Sequence, residues 1–292
     1  MSYVEQPNVE QPPMLTSLQN PLVKQLRKLQ QAKERRSQQM FLLEGTHLLQ
    51  EACAVGYPLA IVCHTPDWQE RHPQLWGQAI ALSLRVELVS PEVLQAIATT
   101  QHPDGVVATA HRNISTALPI PTLGIALQTL QDPGNLGTVI RTAAAAGADG
   151  LWLSADSVDL DHPKVLRASA GQWFRLAMAV SPNLPEEIGQ FQRDGVQVVA
   201  TLPTAELTYW EADLSRPTLI LLGNEGAGLS PELAAMADVG VKIPLAVGVE
   251  SLNVAIAAAL ILYEAKRQRL GTLLTRPLPN CPLTLENEGA EF

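Results

Sequence analysis

"LILLGNEGAGLSPEL", residues 219–233, joins a fully apolar run to three glycines, an acid and a helix start. Leu219–Leu222 has no polar face, so as a strand it is buried on both sides, as in a parallel sheet covered by helices. Glycines at 223, 226 and 228 put bare backbone at the strand end, where main chain can approach a ligand without a Cβ in the way. A dinucleotide fingerprint needs G-x-G-x-x-G after the first strand, with an acid closing the next. Here the spacing is reversed and falls late in the chain, which excludes that reading. Ser230 before Pro231 and Glu232 is helix N-cap chemistry.

Working outward, "LGIALQTL" (123–130), "LWLS" (151–154) and "VQVVAT" (196–201) are further apolar strands, so the second half of the chain is expected to be an α/β unit with a parallel sheet. Two of its other junctions carry unusual residues. In "LQDPGNLGTVIRTAAAAGA" (130–148), Gly134, Asn135 and Gly137 open an alanine-rich helix whose first amides point towards the strand ends. Asn135 reads either as the N-cap or as a functional side chain. Arg141 is a cation in the opening turns, where it opposes the helix dipole; holding a phosphate or a developing oxyanion would explain it. In "KIPLAVGVESLNVAIAA" (242–258), a strand ends near Ile243, and Ser251 or Asn253 starts a final helix reaching about Leu270. Ser251 is the natural cap. Asn253 just inside a helix is a poor former, so a side-chain role is expected of it. Ala255, Ala258 and Ala259 leave little side chain, so another helix can come close, and a dimer contact is the reading considered for this face.

The first half has a different character. "NPLVKQLRKLQQAKERRSQQ" (20–39) begins with an Asn20 cap and Pro21, and Leu22, Leu26 and Leu29 form a buried stripe at helical spacing. Lys24, Arg27, Lys28, Lys33, Arg35 and Arg36 stand against Glu34 alone. This is either a solvated face or a phosphate-binding stripe on a chain of net charge −9. "FLLEG", "LAIVCH" and "GVVATA" read as strands, with a helix over "THLLQEACAVG" stopped by Gly56 and another over "PEVLQAIATT". The expected organisation is a leader at 1–16, a small α/β domain at 17–111, a proline-bearing linker at 112–121, a second domain at 122–272 and a tail at 273–292. Cys53, Cys63 and Cys281 have no ligand-like spacing, so reduced thiols are expected, without disulfide or metal. No stretch reads as an export signal or a membrane span, which makes the cytoplasm the default location.

Taken in order, "NLGTVIRTA", "LLGNEGAGLS" and "IPLAVGVESLNVAIAAALILYEA" resemble the three motifs of the SpoU/TrmH family of RNA ribose 2′-O-methyltransferases, over about residues 123–268. "NPLVKQLRKL", "FLLEGTHLL" and "HPDGVVATA" resemble that family's substrate-binding domain, similar to a ribosomal protein of the L30e kind. Any one motif is moderate evidence; three in order are specific. The resemblance implies an α/β-knot domain with a deep trefoil, preceded by the smaller L30e-like domain. It also implies S-adenosylmethionine as cofactor, no metal, a homodimer, and structured RNA as substrate. Ribosomal RNA is favoured over transfer RNA because a separate N-terminal domain is present. By motif match, Thr201, Leu202, Gly223, Asn224, Gly226, Ile243 and Leu252 would surround the cofactor. Asn135, Arg141, Glu225, Ser251 and Asn253 would form the catalytic set, and Lys24, Arg27, Lys28, Arg35 and Arg36 would meet RNA. A guanidinium keeps its proton at neutral pH, so Arg141 is expected to clamp the 2′-oxygen and a phosphate rather than act as a literal base; the final proton acceptor stays open. Val247 stands where many relatives carry glycine or proline. The rival readings are a non-catalytic RNA-binding protein and, with less support, an oxidoreductase.

Overall fold

Strands with no polar face can be stable only where both faces are covered, and the chain builds its larger sheet from such strands. The computed structural model describes residues 13–274. The leader up to residue 12, the tail from 275 and Cys281 therefore lie outside the described residues. The first half comprises α1 (Pro21–Lys28), α2 (Ala32–Gln38), β1 (Met40–Glu44), α3 (Thr46–Ala54), β2 (Leu59–His64), α4 (Pro66–Arg71), α5 (Pro73–Leu82), β3 (Ser83–Leu88), α6 (Pro91–Ile97) and β4 (Val106–His111). Its four strands pair in the order β1-β4-β2-β3, antiparallel except for β2 with β3. The second half comprises β5 (Leu123–Leu127), α7 (Pro133–Ala146), β6 (Gly150–Ser154), α8 (Pro163–Ala168), β7 (Met178–Ser181), α9 (Leu184–Arg193), β8 (Gln197–Thr201), β9 (Leu207–Thr208), β10 (Thr218–Leu222), α10 (Pro231–Ala235), β11 (Val239–Lys242) and α11 (Val254–Leu274). Its seven strands run parallel in the order β7-β6-β5-β10-β8-β11-β9.

The caps fall largely where side-chain chemistry puts them. Asn20 Oδ1 accepts the Leu22 amide at 2.8 Å, and Leu22, Leu26 and Leu29 are buried. Gly56, in the left-handed region at φ 67°, follows the end of α3. Two short helices, α4 and α5, arise where proline at N1 follows Thr65 and His72, a segment with little apolar periodicity. Cys63 is buried, and burial pushes its thiol up to about 12, where it stays protonated and inert.

The two halves share one apolar core. Phe41 and Leu43 of β1 belong to the same buried cluster as Leu136 and Val139 of α7 and Leu166 of α8. Ionic contacts reinforce the join. Arg35 reaches Asp159 at 3.0 Å and Asp161 at 3.2 Å, Arg36 reaches Asp159 at 2.6 Å, and Arg112 also bonds Asp161. Arg35 is 1% exposed, so the expectation that it meets RNA is corrected: its guanidinium is committed inside the protein. Arg36 keeps a mostly exposed side chain but is paired with the same aspartate. Lys24, Arg27 and Lys28 remain exposed on α1.

A second correction concerns α11. Ala255 and Ala258 do not wait for a second copy; they are buried in the core cluster with Val139, Ile140 and Ala143 of α7. Their small side chains bring two helices of the same chain together. The outward face of α11 instead carries exposed Ile256 and Tyr263.

Candidate active site

In a parallel α/β sheet, ligands meet the chain at the carboxyl ends of the strands, and that is where the three junctions converge. The 223–230 turn is built by backbone. The Asn224 and Gly228 amides and carbonyls bond reciprocally at 3.0 and 2.9 Å, and the Asn224 side-chain oxygen accepts the Gly226 and Ala227 amides. A Cβ at Gly223 would lie 2.1 Å from the Gly228 carbonyl carbon. Only glycine permits that closure. Asn224 Nδ2 then donates to the Thr129 carbonyl at 2.8 Å, tying the turn to the loop before α7.

α7 starts differently from expectation. Asp132 is its cap, accepting the Asn135 amide at 2.8 Å, and that bond holds the Asp132 carboxyl below the usual carboxylate range. Asn135 is three positions inside the helix, with its side chain free for other work. Its Nδ2 donates to Glu225 Oε1 at 3.1 Å, and its Oδ1 accepts from Asn253 Nδ2 at 2.9 Å. Asn253 in turn caps α11, its Oδ1 accepting the Ala255 amide at 2.9 Å. Ser251 is therefore not the cap; it is exposed in the loop before the helix. Because a carboxylate only accepts, the chain of bonds fixes both amide orientations from Glu225 to the α11 backbone. One residue from each junction is thus locked to the next.

Arg141 is not part of that chain of bonds. Six residues beyond Asn135, it lies about 9 Å further along the axis. It is exposed, and its guanidinium has no hydrogen bond or ion pair with any described residue. It is also in the third turn, beyond the reach of the helix-end charge, so the dipole does not explain its placement; its free donors remain the relevant feature. Gly137, one turn earlier, is buried because a Cβ there would meet Ala168 Cβ at 2.5 Å, so α7 and α8 touch backbone to side chain.

The residues expected around a cofactor occupy the adjoining strand ends. Thr201 closes β8, and its buried Oγ1 has no hydrogen-bond partner among the described residues, as fits a hydroxyl that a ligand would satisfy. Leu202 and Ile243 are half-buried, while Leu252 is exposed. Gly248 takes the left-handed conformation at φ 87° and Val247 does not, so valine imposes no strain on that loop. An orphaned hydroxyl, a glycine cradle and main chain from three turns suit a nucleoside-bearing cofactor.

A parallel α/β sheet with main-chain-lined turns at its strand ends and a separate small α/β unit packed alongside is the architecture this chain shares with RNA-modifying methyltransferases. The family model described as SpoU rRNA methylase matches residues 122–263, and that described as MRM3-like substrate binding domain matches 20–108. The chain is 50% identical over 257 residues to an uncharacterised tRNA/rRNA methyltransferase of Synechocystis, covering 87% of this chain and 94% of that one. It is 32% identical over 256 residues to the Bacillus subtilis 23S rRNA (guanosine(2553)-2′-O)-methyltransferase RlmP, covering 86% and 98%. An AdoMet-bound rRNA methyltransferase from Sinorhizobium meliloti matches with a TM-score of 0.78 at 36% identity, over 87% of this chain and 97% of that one. This chain belongs to the SpoU rRNA methylase family.

Proposed function

We propose that the protein transfers a methyl group from S-adenosylmethionine to a ribose 2′-hydroxyl of ribosomal RNA. The observation that carries this is the bonded series Glu225–Asn135–Asn253, which joins all three junctions, with the free Arg141 further along the same helix. The cofactor supplies the electrophilic methyl. Thr201, Leu202, Gly223, Asn224, Gly226, Ile243 and Leu252 hold it, chiefly through main chain, in a segment that family membership implies is knotted. Asn135, fixed from both sides, orients the ribose; Glu225 and Asn253 keep it in place, and Ser251 contacts RNA near the target. Arg141 would clamp the attacking 2′-oxygen and its neighbouring phosphate, stabilising charge there as the O–CH3 bond forms, the sulfonium–CH3 bond breaks and the hydroxyl proton passes to solvent. It does so without giving up its own proton, so it is not the base.

The active form is a homodimer, with the site at the subunit boundary. Supporting this, Val247, Val249, Leu252, Ile256 and Tyr263 form an exposed apolar tract along the loop and outward face of α11. No helix among the described residues is long and apolar enough to cross a membrane, and the enzyme works in the cytoplasm, where ribosomal RNA is. Lys24, Arg27 and Lys28 provide exposed charge for the RNA backbone.

Methyl transfer from tritiated S-adenosylmethionine to unmodified 23S rRNA, followed by ribose-methylation mapping, tests the reading. Arg141→Ala is expected to lower the rate at least about 100-fold, the scale of losing one transition-state donor, with cofactor affinity unchanged. Retention of most activity would remove Arg141 from the mechanism.

A further inference from the structure

A cleft of about 330 Å³ lies between the two halves, walled by Gly45, Thr46 and His47 of the first half, by His102 and Asp104 before β4, and by Arg167 on α8. Its deepest feature is a built ion pair. Glu44 has a side chain only 3% exposed, and both its oxygens are occupied: one by the Thr99 amide at 3.0 Å, the other by the Thr99 hydroxyl at 3.0 Å and Arg167 Nη1 at 2.9 Å. Burying an acid is costly unless it is satisfied, and here satisfaction fixes the guanidinium by one nitrogen. Nε and Nη2 of Arg167 have no partner among the described residues, and the side chain is 34% exposed. The rings of His47 and His102 are exposed on the same cleft. The His47 and Leu48 amides, at the start of α3, have no intrahelical acceptor. Asp104 is the opposing charge, and its Oδ2 is drawn to the Thr46 amide at 2.8 Å. The unsatisfied groups are mostly donors, held in place before any ligand arrives.

The cleft is joined to α7 through α8. Ala168 packs against Gly137, one turn before Arg141, while Arg167 and Ala170 of the same segment face the cleft.

We propose that this cleft is a second phosphodiester subsite, in which Arg167 grips the backbone of the substrate RNA at a nucleotide other than the one methylated. This rests on the RNA methyltransferase reading above. Arg167 is a binding residue here, and Glu44 positions it. An alternative role, a simple strut between halves, is separated by the double variant Glu44→Gln/Arg167→Gln. The amide at 44 still bonds the Thr99 amide and hydroxyl, so no buried charge is left unpaired, while the charge offered to phosphate is removed.

The test uses the full chain and an unmodified 23S rRNA transcript, with binding measured across a salt series. The double variant is expected to bind RNA about 10-fold more weakly, the effect of one charge-assisted contact. The slope of log affinity against log salt should shrink by about 0.7–0.9, the signature of one lost phosphate contact. S-adenosylmethionine affinity and thermal midpoint should match the parent. Unchanged RNA affinity and slope would overturn the proposal, as would a loss of affinity with an unaltered slope. Ring-proton signals of His47 and His102 in the parent should shift on adding the transcript; a response only to inorganic phosphate would mean a free-anion site and also overturn it. Methyl transfer is scored separately. A parent protein that binds the transcript but never methylates it refutes the enzymatic reading, whereas an unaltered salt slope refutes the subsite.

Discussion

Gly223→Ala puts the backbone argument under direct strain. The new methyl would lie 2.1 Å from the Gly228 carbonyl carbon, 2.2 Å from its oxygen and 2.2 Å from the Leu229 nitrogen. Carbon contacts relax near about 3.5 Å, so the two arms of the turn must part by more than 1 Å. All three obstacles are backbone, and no rotamer change relieves them. Parting breaks the reciprocal Asn224–Gly228 bonds, worth about 0.5–1.5 kcal/mol each, and overpacking adds about 1–3 kcal/mol. The expected loss is about 2–6 kcal/mol, towards the lower end because the tip of the turn is exposed and can swing outward. Titration calorimetry with S-adenosylmethionine should show binding weakened about 10- to 100-fold, at tenfold per about 1.4 kcal/mol. Urea unfolding should show the midpoint falling in step. Gly226→Ala is the control for folding alone, since a Cβ there meets nothing nearer than Asn224 Oδ1 at 3.6 Å; its midpoint should stay put. A Gly223→Ala protein with parental cofactor affinity and midpoint would refute the claim that this approach shapes the pocket.

Asp161→Asn removes the fully buried acid that faces Arg35 and Arg112. Leaving those two cations to share Asp159 with Arg36 should cost about 3 kcal/mol in urea unfolding, the low end for removing one partner of a buried pair, and raising the salt concentration should recover little of it because the cluster is buried; a loss below about 1 kcal/mol would refute the buried-pair account. His162 caps α8 by accepting the Lys164 amide on Nδ1 at 3.1 Å, which needs a neutral ring. Burial, then the nearby Arg35 and Arg167, hold its pKa below the ordinary 6.5. A histidine lowered on folding contributes stability fully present above the unfolded value and lost as pH falls through it towards the folded one. Unfolding free energy should therefore drop as pH falls below about 6.5. His162→Asn, a non-titrating cap, should flatten part of that drop, and identical pH profiles would count against the cap. Ile256→Glu puts a charge on the outward face of α11 and should convert a dimer to monomer in sedimentation without lowering the unfolding midpoint; an unchanged mass would move the interface elsewhere.

Much of the parallel sheet could be read from the sequence, because a strand buried on both faces must be apolar throughout, and β5 and β10 are. Which side chain caps which helix was harder. Asp132 and Asn135, like Ser251 and Asn253, are all competent caps, and only the exact start of the helix chooses between them. The choice has consequences. With Asp132 satisfying the α7 amide, the Asn135 amide group is released to bridge Glu225 and Asn253, partners 90 and 118 residues away. Local propensity identifies the candidates, but tertiary contact decides which one stays free.

The basic stripe shows the same limit in its sharpest form. Arg35 and Arg36 are neighbours, so any count of charge along the chain treats them alike. A helix turns about 100° per residue, and that rotation carries Arg35 inward to two aspartates while Arg36 stays 59% exposed. The aspartates lie more than 120 residues later, in the loop before α8. The fold therefore uses part of its basic stripe to fasten the substrate-binding half to the methyltransferase half. What remains for RNA is the exposed charge of α1 and whatever the join itself presents. Under the proposed function a fixed join matters, because RNA held by the first half would reach Arg141 in register only if the two halves do not drift. On this argument the buried ion cluster serves recognition as much as stability, although it contacts no nucleotide.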